Sequence, residues 1–535
     1  MLDAFTPFLR AEGRSPRPRS RGRRARTILA RRVRCPLPER PERDRHPDAT
    51  PAAPANSGLP HARLGERAVS GTLWTVIGYG SGQALRLASN LVLARLLAPE
   101  HFGVMLLVNV FIQGLTMFSD IGIGPSIIHS SRGDDRTFLD TAWTLQILRG
   151  VALWLVACAS APLLAGYYAT PELAVVLPWA AGSAVLAGFN STKVFTTNRH
   201  MRYARRTLVE LGAQVFGVVV MLAWAWYERS LWALVAGGLA NAAGKAVLSH
   251  VVLEGPGNRF ALDAGARREL FHFGRWIFVS TLITFFAAQI DRILLGKLVP
   301  NDELGVYGTA LNLASLAPLV GSMLSGSVVY PLLAARVRAD RSSLAHELAR
   351  VRSWFLPCSE FVLLGMALLA PAFFDVLYDD RYADAGWMTV LLMLPFWFLM
   401  LTHASDRALL ALGNTKALAV SNAASLAGKV AGCLVGYHIG GVAGFILGMT
   451  AGCVAGHVVV QVVLQRSGVS VWKQDWIATL RIAALFSGAA LLARWLSSDR
   501  SDAASTWIHV AVGAALLVPM GVALARRMRL ALSKR

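Results

Sequence analysis

Charge is what this 535-residue chain has least of: 16% of its residues are Asp, Glu, Lys or Arg, against 54% apolar. A soluble domain carries about a quarter charged residues, so a water-facing globular surface is excluded for most of the length. Cysteine is nearly missing as well. Cys35, Cys158, Cys358, Cys433 and Cys453 form no CxxC, and four of them sit inside apolar runs, where a free thiol behaves as a small hydrophobe. That excludes a disulfide framework and a cysteine metal site. The short alternating segments of a transmembrane barrel are lacking too.

What is present is a series of apolar runs, each long enough to cross a hydrocarbon core about 30 Å thick as a helix of about 20 residues. We read fourteen spans, at 70–94, 102–128, 141–166, 173–195, 208–228, 231–253, 274–298, 305–334, 353–376, 386–410, 416–437, 441–464, 476–496 and 506–525. Charge supports the count. With the N-terminus inside, the inner loops and tail after the first span hold 24 Lys and Arg, from Arg132 to Arg535. The outer loops hold six: Arg95, Arg229, Lys297, Arg381, Arg494 and Arg500. Cytoplasmic loops of membrane proteins carry this excess, so the net charge of +21 reads as topology and not as nucleic-acid binding. Both termini are expected in the cytoplasm. The expected class is an all-α polytopic membrane protein with short loops, the longest at 254–273.

Residues 1–67 differ from the rest. They hold 16 Arg and 7 acids, are rich in Pro, and show no apolar periodicity, which reads as disorder. No apolar stretch of signal-peptide type occurs there. Two readings stand: a basic arm on anionic lipid headgroups, or translation that begins near Val69. The second needs a non-ATG start, because no Met falls between Met1 and Met105.

An internal repeat divides the remainder. Arg95-Leu96-Leu97-Ala98-Pro99-Glu100-His101-Phe102-Gly103-Val104 matches Lys297-Leu298-Val299-Pro300-Asn301-Asp302-Glu303-Leu304-Gly305-Val306, with one inserted residue. The two glycines are six spans apart, an even number, so the halves share an orientation. The pattern implies two parallel six-helix lobes, 68–255 and 256–466, followed by two appended spans in 467–535. Repeated bundles of this kind bind cargo between lobes near the midplane and work by rocking. Gly440, Gly444, Gly448, Gly452 and Gly456, four apart, mark one helix face for close packing, with a sliding surface as the alternative. Gly78, Gly80 and Gly82 mark a point where the first span is able to bend.

Four stretches in order on these spans resemble the oligosaccharide (Wzx-type) flippase family, part of the superfamily that includes the multidrug/toxin-extrusion carriers and the lipid II flippase. They are Leu96 to Phe111 followed by Asp120-Ile121-Gly122-Ile123-Gly124; Gln146-Ile147-Leu148-Arg149-Gly150; Asn198-Arg199-His200-Met201-Arg202-Tyr203; and Phe273-Gly274 through Asp291-Arg292-Ile293-Leu294-Leu295-Gly296 to Leu304-Gly305-Val306-Tyr307. The resemblance covers about residues 68–465 and leaves out both the N-terminal extension and the last two spans. It implies a MATE-like fold and movement of an undecaprenyl-diphosphate-linked sugar repeat across a bacterial inner membrane. It also implies surface-polysaccharide assembly (O-antigen, capsule or exopolysaccharide), with a polymerase and a chain-length regulator as partners and a monomeric transport unit. No cofactor or metal is implied; a proton or Na⁺ gradient is the candidate drive.

Such a cargo needs cations for its diphosphate, and Arg offers a planar fork for phosphate oxygens. Arg86 and Lys429 lie deepest in their spans, one in each lobe. Arg149 and Lys245 are nearer a span end, and Lys193 nearer still, where long side chains reach headgroups. An intramembrane carboxylate is a functional-site candidate by default, so Asp291, beside Arg292, is the first candidate for coupling or gating. Asp120, flanked by glycine, reads as a coupling residue or a helix-end cap, and Glu210, Glu360 and Asp406 follow. His403 and His457 read as packing residues. Two other classes compete: a cation-coupled drug exporter of the same fold, and a membrane polymerase or glycosyltransferase. The short outer loops argue against the enzyme, and the predominance of deep cations over deep acids argues for an anionic cargo over drugs.

Overall fold

Helices account for nearly all of the structure. The computed structural model describes residues 61–119, 122–200, 202–274, 277–497 and 511–525. In chain order the helices are α1 (His61–Leu96), α2 (Pro99–Phe118), α3 (Ile123–His129), α4 (Arg136–Tyr168), α5 (Glu172–Gly188), α6 (Lys193–Arg199), α7 (Tyr203–Tyr227), α8 (Trp232–Val251) and α9 (Ala264–Gly274). They continue as α10 (Ile277–Leu298), α11 (Asn301–Ala314), α12 (Leu316–Leu324), a π-helical turn (Ser325–Val329), α13 (Tyr330–Ala339), α14 (Leu344–Leu377), α15 (Asp384–Ala411), α16 (Thr415–Arg466) and α17 (Trp472–Ser497). A short apolar helix, α18 (Ala511–Ala525), follows. Among the described residues there is no strand. Among the described residues seven helical segments, with α11 to α13 counted as one, are long and apolar enough to cross a membrane, or eight if α5 and α6, bent by 58°, form one broken span.

Local chemistry sets the helix ends. Pro99 occupies the first turn of α2, where its missing N–H is no loss. The Asp135 carboxylate accepts from the Thr137 N–H at 3.1 Å and starts α4; Asn414 does the same for Ala417 at the start of α16. These contacts satisfy N–H groups that have no partner within the helix.

Glycine sets the closest approaches. Lipid tails are as apolar as leucine, so helices in a bilayer associate through packing and not through the hydrophobic effect. α16 is a hairpin of two antiparallel arms, turned at Gly440 and Gly441, the latter at φ +56°. Gly428 faces Gly452, Gly432 faces Gly448 and Gly436 faces Gly444, and a Cβ at any of them would overlap the opposite arm's backbone. The small-residue stripe is therefore a packing surface, and its partner is the glycine stripe of the preceding arm. The glycines of α1 bring a correction. α1 is continuous through them, and Gly78 and Gly82 instead admit Thr207 and Gln214 of α7. A second correction concerns the first boundary: α1 begins at His61 and takes in residues that composition had assigned to the extension.

The repeat identified in sequence is a contact in space. α2 and α11 meet where Gly103 lies against the Asn301 carbonyl and Gly305 against the Pro99 carbonyl. Next to this crossing, α10 runs along α2: Leu107 fills the space beside Gly296 and Phe285 the space beside Gly114. Three cations expected in outer loops cap helix ends. Arg95 donates to the Leu377 carbonyl at 3.0 Å, Arg381 to the Leu97 and Ala94 carbonyls, and Lys297 to that of Tyr167. Cations favour helix C-termini because the free carbonyls there carry partial negative charge.

α17 is fastened to the bundle by buried ions. Arg352 of α14, 1% exposed, pairs with Asp475 of α17. Asp475 also accepts from Gln461 at 2.9 Å and lies 3.2 Å from the His457 ring. Further along, Arg481 forks onto Glu360 at 2.8 and 2.5 Å.

Candidate functional site

Arg86 stands on α1 about 15 Å from its Leu96 end, taking 1.5 Å per residue. It is exposed and lines a cavity of about 330 Å³ with Tyr79, Gln83, Tyr203, Arg206 and Gln214. Among the described residues its guanidinium has no hydrogen-bond or ionic partner. Beside it, Arg206 is already neutralised by Glu210 at 2.9 Å and held by Asn198 at 2.7 Å, which assigns Glu210 a structural pairing. An unpaired cation is costly in lipid, and Arg86 instead borders this cavity.

The other cations are more engaged. Lys429, half-buried, donates to the Ala287 carbonyl of α10 at 2.7 Å; the cavity that holds Arg86 does not hold Lys429. Arg149 lines a second cavity of about 280 Å³ with Gln146 and Phe195. It donates to Ser119 Oγ at 2.8 Å and to the Thr116 carbonyl at 2.7 Å, so it closes the end of α2. Lys245 is half-buried on α8 and belongs to neither cavity. Lys193 caps α8 by donating to the His250 carbonyl at 3.0 Å; it does not extend to the surface, being 9% exposed.

Asp291 is buried, 3% exposed, and accepts from the Tyr307 hydroxyl at 2.7 Å. Its neighbour Arg292 faces elsewhere, donating to Gln289 Oε1, so the adjacent acid and base have separate partners. Gln289 Nε2 in turn donates to Gln113 Oε1 of α2 at 2.8 Å. This chain from α10 to α2 escaped a reading based on charge, because amides carry none. Asp120 lies outside the described residues. Glu360 is taken by Arg481, and the Asp406 Oδ1 is buried without a hydrogen bond. No group of three or more His, Cys, Asp or Glu able to hold a metal ion occurs among the described residues.

The sequence profile described as polysaccharide biosynthesis protein matches residues 92–386, more than half of the chain. The chain belongs to this family. Among its relatives are the teichuronic acid biosynthesis protein TuaB of Bacillus subtilis, 21% identical over 50% of this chain and 55% of that one, and the lipopolysaccharide biosynthesis protein WzxC of Escherichia coli, 21% identical over 60% and 65%. The matched region thus spans 55–65% of the length of these relatives. In fold, the polysaccharide biosynthesis chain is similar to the lipid II flippase MurJ in an inward closed conformation, with a TM-score of 0.65 at 12% identity over 85% of this chain and 99% of that one. It is also similar to an inward-facing multidrug resistance MATE transporter, with a TM-score of 0.56 at 13% identity over 75% and 95%. At these identities the likeness is one of fold.

Proposed function

We propose that this polysaccharide biosynthesis family member is a flippase. It moves undecaprenyl-diphosphate-linked oligosaccharides from the inner to the outer leaflet of a bacterial inner membrane. The observation that carries the reading is Arg86, whose guanidinium lines a cavity and has no hydrogen-bond or ionic partner among the described residues. A diphosphate supplies the oxygens such a fork lacks. Lys429, whose hydrogen bond to a backbone carbonyl is exchangeable, is the second contact, from the other half. Arg149 and Lys245 are secondary contacts along the path.

In this reading the chain crosses the membrane fourteen times with both ends in the cytoplasm. Two six-helix lobes, 68–255 and 256–466, rock about the α2–α11 crossing, and 467–535 is appended. Fluxes of proton or Na⁺ drive the rocking through Asp291, with Arg292 and Asp120 as gating residues. A polymerase and a chain-length regulator consume the product, and the chain itself performs no covalent chemistry.

The test is replacement of Arg86 and Lys429 by Ala, singly, in a strain that depends on this chain for surface polymer. Loss of one charge-assisted hydrogen bond, about 1.5–3 kcal/mol, predicts at least a tenfold fall in polymer at unchanged protein level. Normal polymer in both variants overturns the diphosphate site.

A further inference from the structure

Three neutral amides stand exposed in the apolar helices that cross at the repeat glycines. Asn109 and Gln113 are on α2 and Asn312 is on α11. Asn109 lies ten residues from the start of α2 and Asn312 eleven from the start of α11, so each is about 15 Å from its helix start at 1.5 Å per residue. Among the described residues neither asparagine side chain has a hydrogen-bond partner. Gln113 holds Gln289 of α10 at 2.8 Å.

Helical periodicity fixes where they point. On α11, residues 301, 305, 308, 312 and 315 share one stripe. Its upper part faces α2: Gly305 lies against Pro99, and Gly308 against Leu106. Asn312 is the next residue on that stripe. On α2, Leu106 is followed on the same side by Asn109 and Gln113, three and seven residues on. Past the glycine crossing the two facing stripes therefore change from backbone contact to exposed amide. An unsatisfied amide facing lipid costs several kcal/mol, so exposed amides at this depth call for a polar partner.

We propose that Asn109, Gln113, Asn312 and Gln289 form a carbohydrate-recognition site, distinct from the cations that hold the diphosphate. The inference rests on the flippase reading and names the part of the cargo that this cleft takes. An amide offers two donors and an acceptor without charge, which matches sugar hydroxyls and does not compete with Arg86 for phosphate. The Gln113–Gln289 bond bridges α2 and α10 when the cleft is empty. Sugar hydroxyls replace it with equivalent bonds, so cargo entry frees the two helices from each other at little enthalpic cost.

The experiment measures binding by purified full-length protein in detergent, using undecaprenyl diphosphate and undecaprenyl diphosphate bearing one N-acetylhexosamine. The wild type is expected to bind the sugar-bearing lipid at least tenfold more tightly. Asn109→Ala with Asn312→Ala should reduce that preference by about fivefold per amide while leaving affinity for the bare diphosphate unchanged. Both asparagines are exposed and unpaired, so the double variant orphans no buried group, and its thermal unfolding checks the fold. Gln113→Ala with Gln289→Ala should reduce the preference likewise. A wild type without sugar preference, a preference that survives the substitutions, or an equal loss for both lipids each overturns the site. Failure of the wild type to bind either lipid overturns the flippase reading and with it this inference.

Discussion

Gly103 and Gly305 each occupy the space in which the other's helix presents a backbone carbonyl: Asn301 opposite Gly103 and Pro99 opposite Gly305. The contact is reciprocal, as expected where two copies of one sequence motif meet across a local two-fold relation. A methyl group on either glycine overlaps main chain, which cannot rotate away as a side chain can.

Gly103→Ala should therefore part α2 from α11. Overpacking of this kind costs about 1–3 kcal/mol. Thermal unfolding of purified Gly103→Ala, Gly305→Ala and the double variant should show lowered stability. The double should cost less than the two singles together, since one separation relieves both clashes. Additive losses would show that the two glycines act independently.

Asp291 is placed to answer the coupling question because Tyr307, which donates a hydrogen bond to it, is on the neighbouring helix. In proteoliposomes carrying lipid-linked sugar, collapse of the proton gradient should slow the wild type severalfold. Asp291→Asn should remain slow with or without the gradient, and Tyr307→Phe should shift the dependence without removing it. An Asp291→Asn variant that still responds to the gradient removes the coupling role.

Asp475 holds a buried guanidinium. Removing one partner of a buried pair costs about 3–5 kcal/mol, whereas an apolar replacement of both is often neutral. Asp475→Ala should therefore lower the unfolding temperature sharply, and Arg352→Met with Asp475→Leu should restore most of it. If the double replacement is as unstable as the single, specific hydrogen bonds to Ser405 and Leu401 are the stabilising element.

At the end of the bundle where α7 begins, Glu254 accepts from Arg205 at 2.5 Å and Arg202 at 2.7 Å. Its carboxyl is held below the ordinary value of 4.5, first by the hydrogen bond and charge of Arg205 and then by Arg202. A lowered carboxylate value means that the ionised form is favoured by folding. The contribution is present above pH 4.5 and is lost as the pH falls through the lowered value. Proteolytic nicking of the 254–263 loop should accordingly increase in acid. Glu254→Gln should show the acid-level nicking at neutral pH and no further change on acidification.

Much of this was legible in the sequence, because the bilayer imposes simple rules. A helix that satisfies its own backbone must be apolar for about 20 residues, so α2, α4, α7 and α14 can be read almost directly. The glycine stripe was equally plain as a packing face from Gly444 to Gly456, whereas Gly440 belongs to the turn between the arms and packs against nothing. The stripe's partner was not plain, although Gly428, Gly432 and Gly436 carry the same spacing. Arg149 reads as a cavity cation when counted inward along its own helix, and it does line a cavity. Only the position of α2 beside it reveals that it also caps a helix end, since a side chain's partner depends on the neighbour and not on depth.

The sequence by itself determined the helical membrane class, the apolar runs behind α2, α4, α7 and α14, the motif shared by Gly103 and Gly305, and the family, all of which follow from composition, period and local motif; it did not show the breaks that split the expected spans 102–128, 173–195 and 305–334. Tertiary structure decided which charges are free. Arg352 with Asp475 and Arg481 with Glu360 are separated by more than a hundred residues, and no periodicity links them. Among the described residues Arg86 is left unpaired, while Lys429, Arg149 and Lys193 have backbone carbonyls within reach. The physical reason is that a charge in an apolar helix must find its counterpart on another helix, and chain order does not say which helix stands beside it.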